Sequence, residues 1–375
     1  MRIGVYFPTF DPQPAGLGRY TVEVVGRLLQ DFDVVLYTET PEHVPPDWSV
    51  TTHAMPKRSG GGLGHLMMRQ SWLQLRLPYH LQRSAAEALF VPFHEGLLRP
   101  PVPQVVVVHD LTPLVVPSAY FHPLAKLHLR GVLPWILRRS MAVAVSNNTR
   151  RDMIERLRAH PDRISVVGEG FEQEIFRPSD EATIGSVRRR HSLSKPYLFY
   201  SGTYASHKNV AFLVDVLSGC RRRGMDITLA LAGRQDTGEF EAVRASAQRQ
   251  GVAESVVSLG YVPRAHLSPL MQGATAFVFP SLYEGYGLAP LEAMASGAVV
   301  LSSDRASLSE VVGDGGILLD PQTPKDWVDR VGEMLDDERS ASQLRSRALR
   351  RASLFDWNRT ANEIGALLRG ARASG

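Results

Sequence analysis

The stretch SLYEGYGLAPLEAMASGAVVL, residues 281–301, holds two glutamates, Glu284 and Glu292, with seven residues between them around a Gly-x-Gly turn. The residues just before it, AFVFPS, read as a buried strand, and a helix is predicted to begin near Leu288. Pro290 suits the first turn of that helix and Gly297 its C-terminal stop. The free N–H groups at such a helix start, with the positive end of its dipole, form an anion site. Gly285 and Gly287 let backbone approach a phosphate closely. A carboxylate beside a diphosphate is repelled unless its own partner is a hydroxyl donor, and sugar hydroxyls are such donors. Glu284 and Glu292 therefore suit the two ends of a nucleotide-sugar. The plainer alternative makes Glu284 a solvated loop residue and Glu292 a capping partner.

Other chemistry-bearing residues fall directly after strands, where open parallel α/β sheets bind ligands. YLFYSG runs into TYASHKN, so Lys208 can reach back over the strand end as a point charge against a phosphate. QVVVVHD places His109 and Asp110 at another strand end, and FPTFDPQPAGLGRY sets Gly16 and Gly18 between the first strand and the first helix. His109 is either a contact to a transferred group or a satisfied strand-end histidine. Three patterns point elsewhere and are weak. GLGRYT, with Glu39 ending the next strand, resembles a dinucleotide fingerprint, but Thr21 takes the third glycine position. Asp31 and Asp33 form an Asp-x-Asp ahead of a strand, at the wrong sheet edge for a metal site. HEGLL, residues 94–98, lacks the second histidine of a zinc motif, so a metal-free site is expected.

The elements that position these residues alternate. RIGVYF, DVVLYT, ALFVPF, QVVVVHD, MAVAVS and ISVVG read as strands in the first half, with helical spacing in TVEVVGRLLQ, RQSWLQLRLPYHLQ and RRDMIERLRA. YLFYSG, DITLALAG, VVSLGY, AFVFPS, AVVLSS and GILLD repeat the pattern. Such alternation predicts an α/β chain with two doubly wound parallel sheets, each covered on both faces. The polar stretch from Phe171 to Ser194 is the expected hinge, giving domains 1–178 and 179–355. A final helix in 356–375 has an apolar face at Trp357, Ala361, Ile364 and Leu368, which suits packing back on the first domain.

The 375 residues are 44% hydrophobic and 21% charged, an ordinary globular balance. The net charge is +4, and the arginine clusters are not interleaved with aromatics, so nucleic acid is not an expected partner. Cys220 is the sole cysteine, which excludes an internal disulfide and a cysteine-based metal site. MRIGVYFPTF enters a strand without the features of a signal peptide, and a cytoplasmic location is expected.

Read together, GLGRY, VVVVHDLTP, AVSNNTRRD, GFEQEIFRP, SGTYASHKN, LALAGR, LGYVP, EGYGLAPLEAMASGAVVLSS and DWNRTA resemble the retaining GT-B glycosyltransferases of family 4, in order and spacing. The resemblance implies two Rossmann-like domains facing each other across a cleft. It implies that Glu284 holds donor-sugar hydroxyls, that Gly285, Tyr286, Gly287 and Leu288 offer N–H groups, and that Glu292 binds the ribose. Lys208 would bind the diphosphate, the backbone at Tyr261 and Val262 the base, and Gly16 and Gly18 the diphosphate or acceptor. His109 would lie near the donor sugar. Where many family members carry an arginine, this chain has Thr203 or His207, which leaves Lys208 as the fixed cation and His207 as a conditional second.

The resemblance is strongest to bacterial mannosyltransferases. It implies GDP-mannose as co-substrate with no other cofactor, UDP- and deoxysugar donors being alternatives. The implied acceptor is a lipid-linked or growing polysaccharide at the inner face of the plasma membrane. The segment 56–70 with Trp72 is either a contact for acceptor or membrane, or an ordinary loop. Two readings from other classes stay open: an NAD-dependent oxidoreductase built on GLGRYT, and a non-catalytic nucleotide-sugar-binding protein.

Overall fold

The computed structural model describes residues 1–12, 14, 16–57, 62–116, 123–233 and 238–373. The chain divides into two compact units. The first takes Met1–Leu114, Phe121–Gly170 and Asp356–Gly375, and the second is built on Phe171–Phe355.

The strands of the first unit are β1 (Arg2–Tyr6), β2 (Asp33–Thr38), β3 (Thr51–Ala54), β4 (Ala88–Val91), β5 (Gln104–Val108), β6 (Met141–Ala144) and β7 (Ile164–Val166). They pair in parallel in the order β3-β2-β1-β4-β5-β6-β7. The QVVVV run of β5 is buried along its whole length, as a strand covered on both faces requires. The periodicity did not reveal β3. Its sequence, TTHA, is polar and partly exposed at the sheet edge, so it carries no apolar signal.

Helix Leu17–Leu28 follows β1 and buries Tyr20, Val24, Val25 and Leu28. The stretch expected as one helix over 69–82 is two helices, Gly62–Leu75 and Leu77–Arg83, because Pro78 in the second has no N–H to continue the first. Residues 58–61 of the segment 56–70 lie outside the described residues. Helix Asn147–Leu157 begins where the Ser146 side chain accepts from the Thr149 N–H, 3.0 Å away. The last helix, Trp357–Ala373, belongs to this unit, with Trp357, Ala361, Ile364 and Leu368 all buried.

The second unit holds β8 (Tyr197–Ser201), β9 (Thr228–Ala232), β10 (Val256–Gly260), β11 (Ala276–Phe279), β12 (Val300–Ser303) and β13 (Ile317–Leu319). Their order is β10-β9-β8-β11-β12-β13, again parallel. Within the polar stretch 171–194, Glu181–Arg190 is a helix capped by Asp180 and anchored by buried Ile184 and Val187. Two buried apolar residues in ten are too few to show as periodicity. Among the described residues no helix is long and apolar enough to cross a membrane.

Both sheets reverse direction of growth once, between β1 and β4 and between β8 and β11. Such a switch point leaves the loops at neighbouring carboxyl ends free to diverge, and ligands bind there.

Candidate active site

In the second unit the switch point brings Lys208 and Glu284 together. Lys208 ends the short 3-10 turn Ser206–Lys208 after β8, and Glu284 lies in the loop after β11. The Lys208 Nζ donates to both carboxylate oxygens, at 2.6 and 2.8 Å. Their side chains are 18% and 11% exposed, and the ammonium also sits 5.5 Å over the Phe279 ring. The His207 carbonyl accepts from the Leu282 N–H at 2.7 Å and from the Ser281 hydroxyl at 3.1 Å, tying the two loops to each other through backbone. Thr203 is exposed, and its carbonyl accepts from the buried Tyr200 hydroxyl at 2.6 Å.

The loop after β11 leads into helix Leu288–Ala295 through Gly287, whose φ of +119° L side chains rarely adopt. A Cβ there would stand 2.8 Å from Leu308. The first helical turn directs N–H groups away from the helix body, except at Pro290, which has none. Ser307, which sequence reasoning missed, pins this turn. It is fully buried, and its hydroxyl lies 2.9 Å from the Glu284 carbonyl and 2.6 Å from the Tyr286 carbonyl. Gly285 and Tyr286 are buried beside it. Glu292 lies a turn inside the helix, where its carbonyl accepts from the Ser296 N–H and hydroxyl.

Tyr261 and Val262 follow β10, two strands away from β8; Tyr261 is 69% exposed and Val262 buried. A run of backbone links the strand ends on that side. Gly202 donates to Ala232, and Gly233 donates to Gly260. Any side chain at Gly233 would strike the Gly202 carbonyl oxygen.

The remaining expected residues lie in the first unit. Gly16 caps helix Leu17–Leu28 at φ +49°, with no described residue within 4 Å of where a Cβ would stand, and Gly18 packs on Pro14. His109, just past β5, has Nδ1 2.9 Å from Glu169 Oε1 and Nε2 2.9 Å from the Pro92 carbonyl oxygen. The Tyr20 ring packs edge-on against it, with 4.6 Å between centroids. Burial first, and the charge of Glu169 second, push the Tyr20 phenol well above its usual range, so it stays neutral. Glu169 was not anticipated; sixty residues separate it from His109, and GEG carries no motif that would flag it.

The weaker patterns have structural roles. Asp33 binds Arg2 and Asp31 lies 3.5 Å from Arg369, all on the surface. Glu95 of HEGLL accepts from Tyr6 at 3.2 Å and Arg69 at 2.6 Å. Glu39 is buried 3.1 Å from His65, and the Thr21 hydroxyl donates to the Leu17 carbonyl. Among the described residues no group of three or more His, Cys, Asp or Glu side chains could hold a metal ion.

Two parallel Rossmann-like sheets, each with polar residues at the carboxyl ends of its strands, make up the GT-B class of architecture. The family model for glycosyltransferase family 4 matches residues 14–174, and that for glycosyl transferases group 1 matches residues 186–351. The chain belongs to this family of glycosyltransferases. It is 29% identical over 265 residues to the serotype-specific mannosyltransferase WbdA of Escherichia coli, an alignment covering 69% of this chain but 32% of that protein. It is 28% identical over 341 residues to the alpha-maltose-1-phosphate synthase of Mycolicibacterium smegmatis, covering 84% of this chain and 83% of that protein. The fold is also that of HepE from Anabaena, solved in complex with UDP and glucose; the TM-score is 0.76 at 16% identity, covering 99% of this chain and 100% of HepE.

Proposed function

We propose that the protein transfers a hexose from a nucleotide-sugar to an acceptor hydroxyl, with retention and without a metal ion. The observation that carries this reading is the Lys208–Glu284 pair beside a helix N-terminus at the switch point of the second sheet. Such a constellation supplies a cation and N–H donors for a diphosphate and a carboxylate for sugar hydroxyls. Lys208 turns to the diphosphate as the anomeric C–O bond breaks, and Glu284 accepts hydrogen bonds from the sugar. Charge on the departing nucleoside diphosphate is met by groups already in place. The acceptor oxygen bonds to the anomeric carbon on the face the diphosphate leaves, and its proton passes to a phosphate oxygen. Glu292 binds the ribose, and the backbone run at Gly202, Gly233 and Gly260 receives the base.

For the donor, a UDP-hexose ranks ahead of the GDP-mannose expected from sequence. HepE, similar over its whole length, was solved with UDP and glucose, whereas the likeness to WbdA spans about a third of that mannosyltransferase. A thermal-shift panel of UDP-, GDP-, dTDP- and ADP-sugars tests both class and donor. Stabilisation by UDP-hexoses supports the proposal, stabilisation by GDP-mannose restores the sequence expectation, and no response to any of them removes the function.

The acceptor is proposed to be carried at a membrane surface. In the first unit the Gln74 side chain donates to Gly96 O at 2.9 Å and accepts from Leu98 N at 3.0 Å, which sets exposed Leu75 and Arg76 near exposed Leu98 and Arg99. Leu75 is 74% exposed, an apolar residue among cations that suits an anionic lipid face. Cosedimentation with phosphatidylglycerol vesicles is expected for the wild type and lost in Leu75→Glu/Arg99→Glu; equal pelleting of both would remove the membrane from the proposal.

A further inference from the structure

The hydrogen bonds of His109 constrain its protons. The Pro92 carbonyl can only accept, so Nε2 carries a hydrogen. The other nitrogen, Nδ1, faces the Glu169 carboxylate at 2.9 Å. A neutral ring with its hydrogen on Nε2 would turn a lone pair toward that carboxylate and repel it. We infer that Glu169 is a positioning residue, which holds the His109 ring in a doubly protonated, fixed orientation and so keeps a positive charge at the carboxyl end of β5.

The surroundings support a built device. The two side chains are 12% and 5% exposed, so water competes weakly for either. Tyr20 packs edge-on against the His109 ring, and the Thr149 hydroxyl donates to the His109 carbonyl at 3.2 Å. Glu169 is held from behind by the last helix. The Thr360 hydroxyl donates to the Gly168 carbonyl at 2.8 Å, and the Trp357 backbone lies so close to Gly170 that no side chain fits there. Trp357 also packs on Tyr20, with centroids 5.7 Å apart. The C-terminal helix thereby sets the carboxylate that sets the histidine, across 192 residues of sequence between Gly168 and Thr360. The charge of the ring is balanced by Glu169, so what the pairing supplies is a ring held in one orientation before the reaction, with no reorganisation needed when charge develops beside it. This catalytic consequence rests on the proposed glycosyl transfer; the protonation of His109 does not.

Histidine ring nitrogens report protonation directly by 15N NMR, with the His109 signals assigned by their loss in His109→Gln. The wild type is expected to show two protonated nitrogens on His109. In Glu169→Gln the amide can donate to Nδ1 and keep the ring in place, so one protonated nitrogen is expected at the same pH. A singly protonated ring in the wild type, or a spectrum unchanged by Glu169→Gln, overturns the inference. Kinetically, Glu169→Gln should lower kcat at least ~10-fold with little change in donor KM. The double variant with His109→Gln should be no worse than His109→Gln alone. Additive losses would show that Glu169 acts independently of His109 and would overturn the positioning role. Absence of glycosyl transfer by the wild type would remove the proposed function while leaving the NMR result standing.

Discussion

Lys208 grips both oxygens of Glu284, at 2.6 and 2.8 Å, across 76 residues of sequence. Each satisfies the other's charge in a setting where neither is well solvated. A diphosphate must therefore share Lys208 with Glu284 or replace it. Lys208→Ala removes the cation, and turnover is expected to fall at least ~100-fold. It also leaves a poorly solvated carboxylate without its counter-ion, so stability falls by about 1–3 kcal/mol. Glu284→Gln separates the two roles: nucleoside diphosphate should bind at least as tightly as to the wild type, while transfer falls by a similar factor. Calorimetric titration with UDP alongside kinetics checks this, and weaker UDP binding by Glu284→Gln would contradict the competition.

Ser307 fixes the turn between Glu284 and the helix that follows, through two carbonyls that its hydroxyl reaches at 2.9 and 2.6 Å. Its hydroxyl is engaged with backbone of the loop, so its removal should act through loop position. Ser307→Ala is expected to cost about 1–2 kcal/mol of stability. Transfer should drop by roughly tenfold, about what 1.4 kcal/mol is worth. Urea unfolding together with steady-state rates measures both. Full activity in a destabilised variant would confine Ser307 to the fold.

Gly233 and Gly238 offer a matched contrast. A Cβ on Gly233 collides with the Gly202 carbonyl, which is backbone and cannot move aside cheaply. Gly238 begins helix Gly238–Arg249, and among the described residues nothing lies within 4 Å of where a Cβ would stand. Gly233→Ala is expected to destabilise by about 2–4 kcal/mol, and Gly238→Ala to be neutral or stabilising by up to about 1 kcal/mol. Thermal unfolding of the pair decides whether the backbone at Gly202 and Gly233 leaves room for a side chain.

The strands of both sheets were legible wherever burial on two faces forces continuous apolar runs, as in VVVV of β5 and FVF of β11. β3 was not, because an exposed edge does not require hydrophobic residues. The strand-end positions of Lys208 and Glu284 were legible from the apolar runs that precede them. Their pairing was not, since Lys208 meets Glu284 only because β8 lies beside β11, and strand order leaves no local mark. Ser307 and Glu169 were invisible for a related reason. Each acts on residues far away in sequence, and neither sits in a pattern whose chemistry can be read alone.

Glu39 carries the last prediction. It ends the second strand's run, 3.1 Å from His65 and almost fully buried. Burial pushes its carboxyl above the usual glutamate range, and His65, Arg69 and Lys57 only partly reverse this, with Glu95 adding to the rise. A carboxyl whose folded value is raised binds its proton more tightly in the native state than in the unfolded chain. Its favourable contribution is then complete below the ordinary value near 4.5 and is lost as pH rises through the folded value. Glu39→Gln keeps a hydrogen-bonding group beside His65 and removes the titration. The melting temperature of Glu39→Gln relative to the wild type should therefore climb as pH is raised from about 4 toward neutrality. A difference that stays flat or falls over that range would mean that the positive charges of His65 and Arg69 outweigh burial at Glu39.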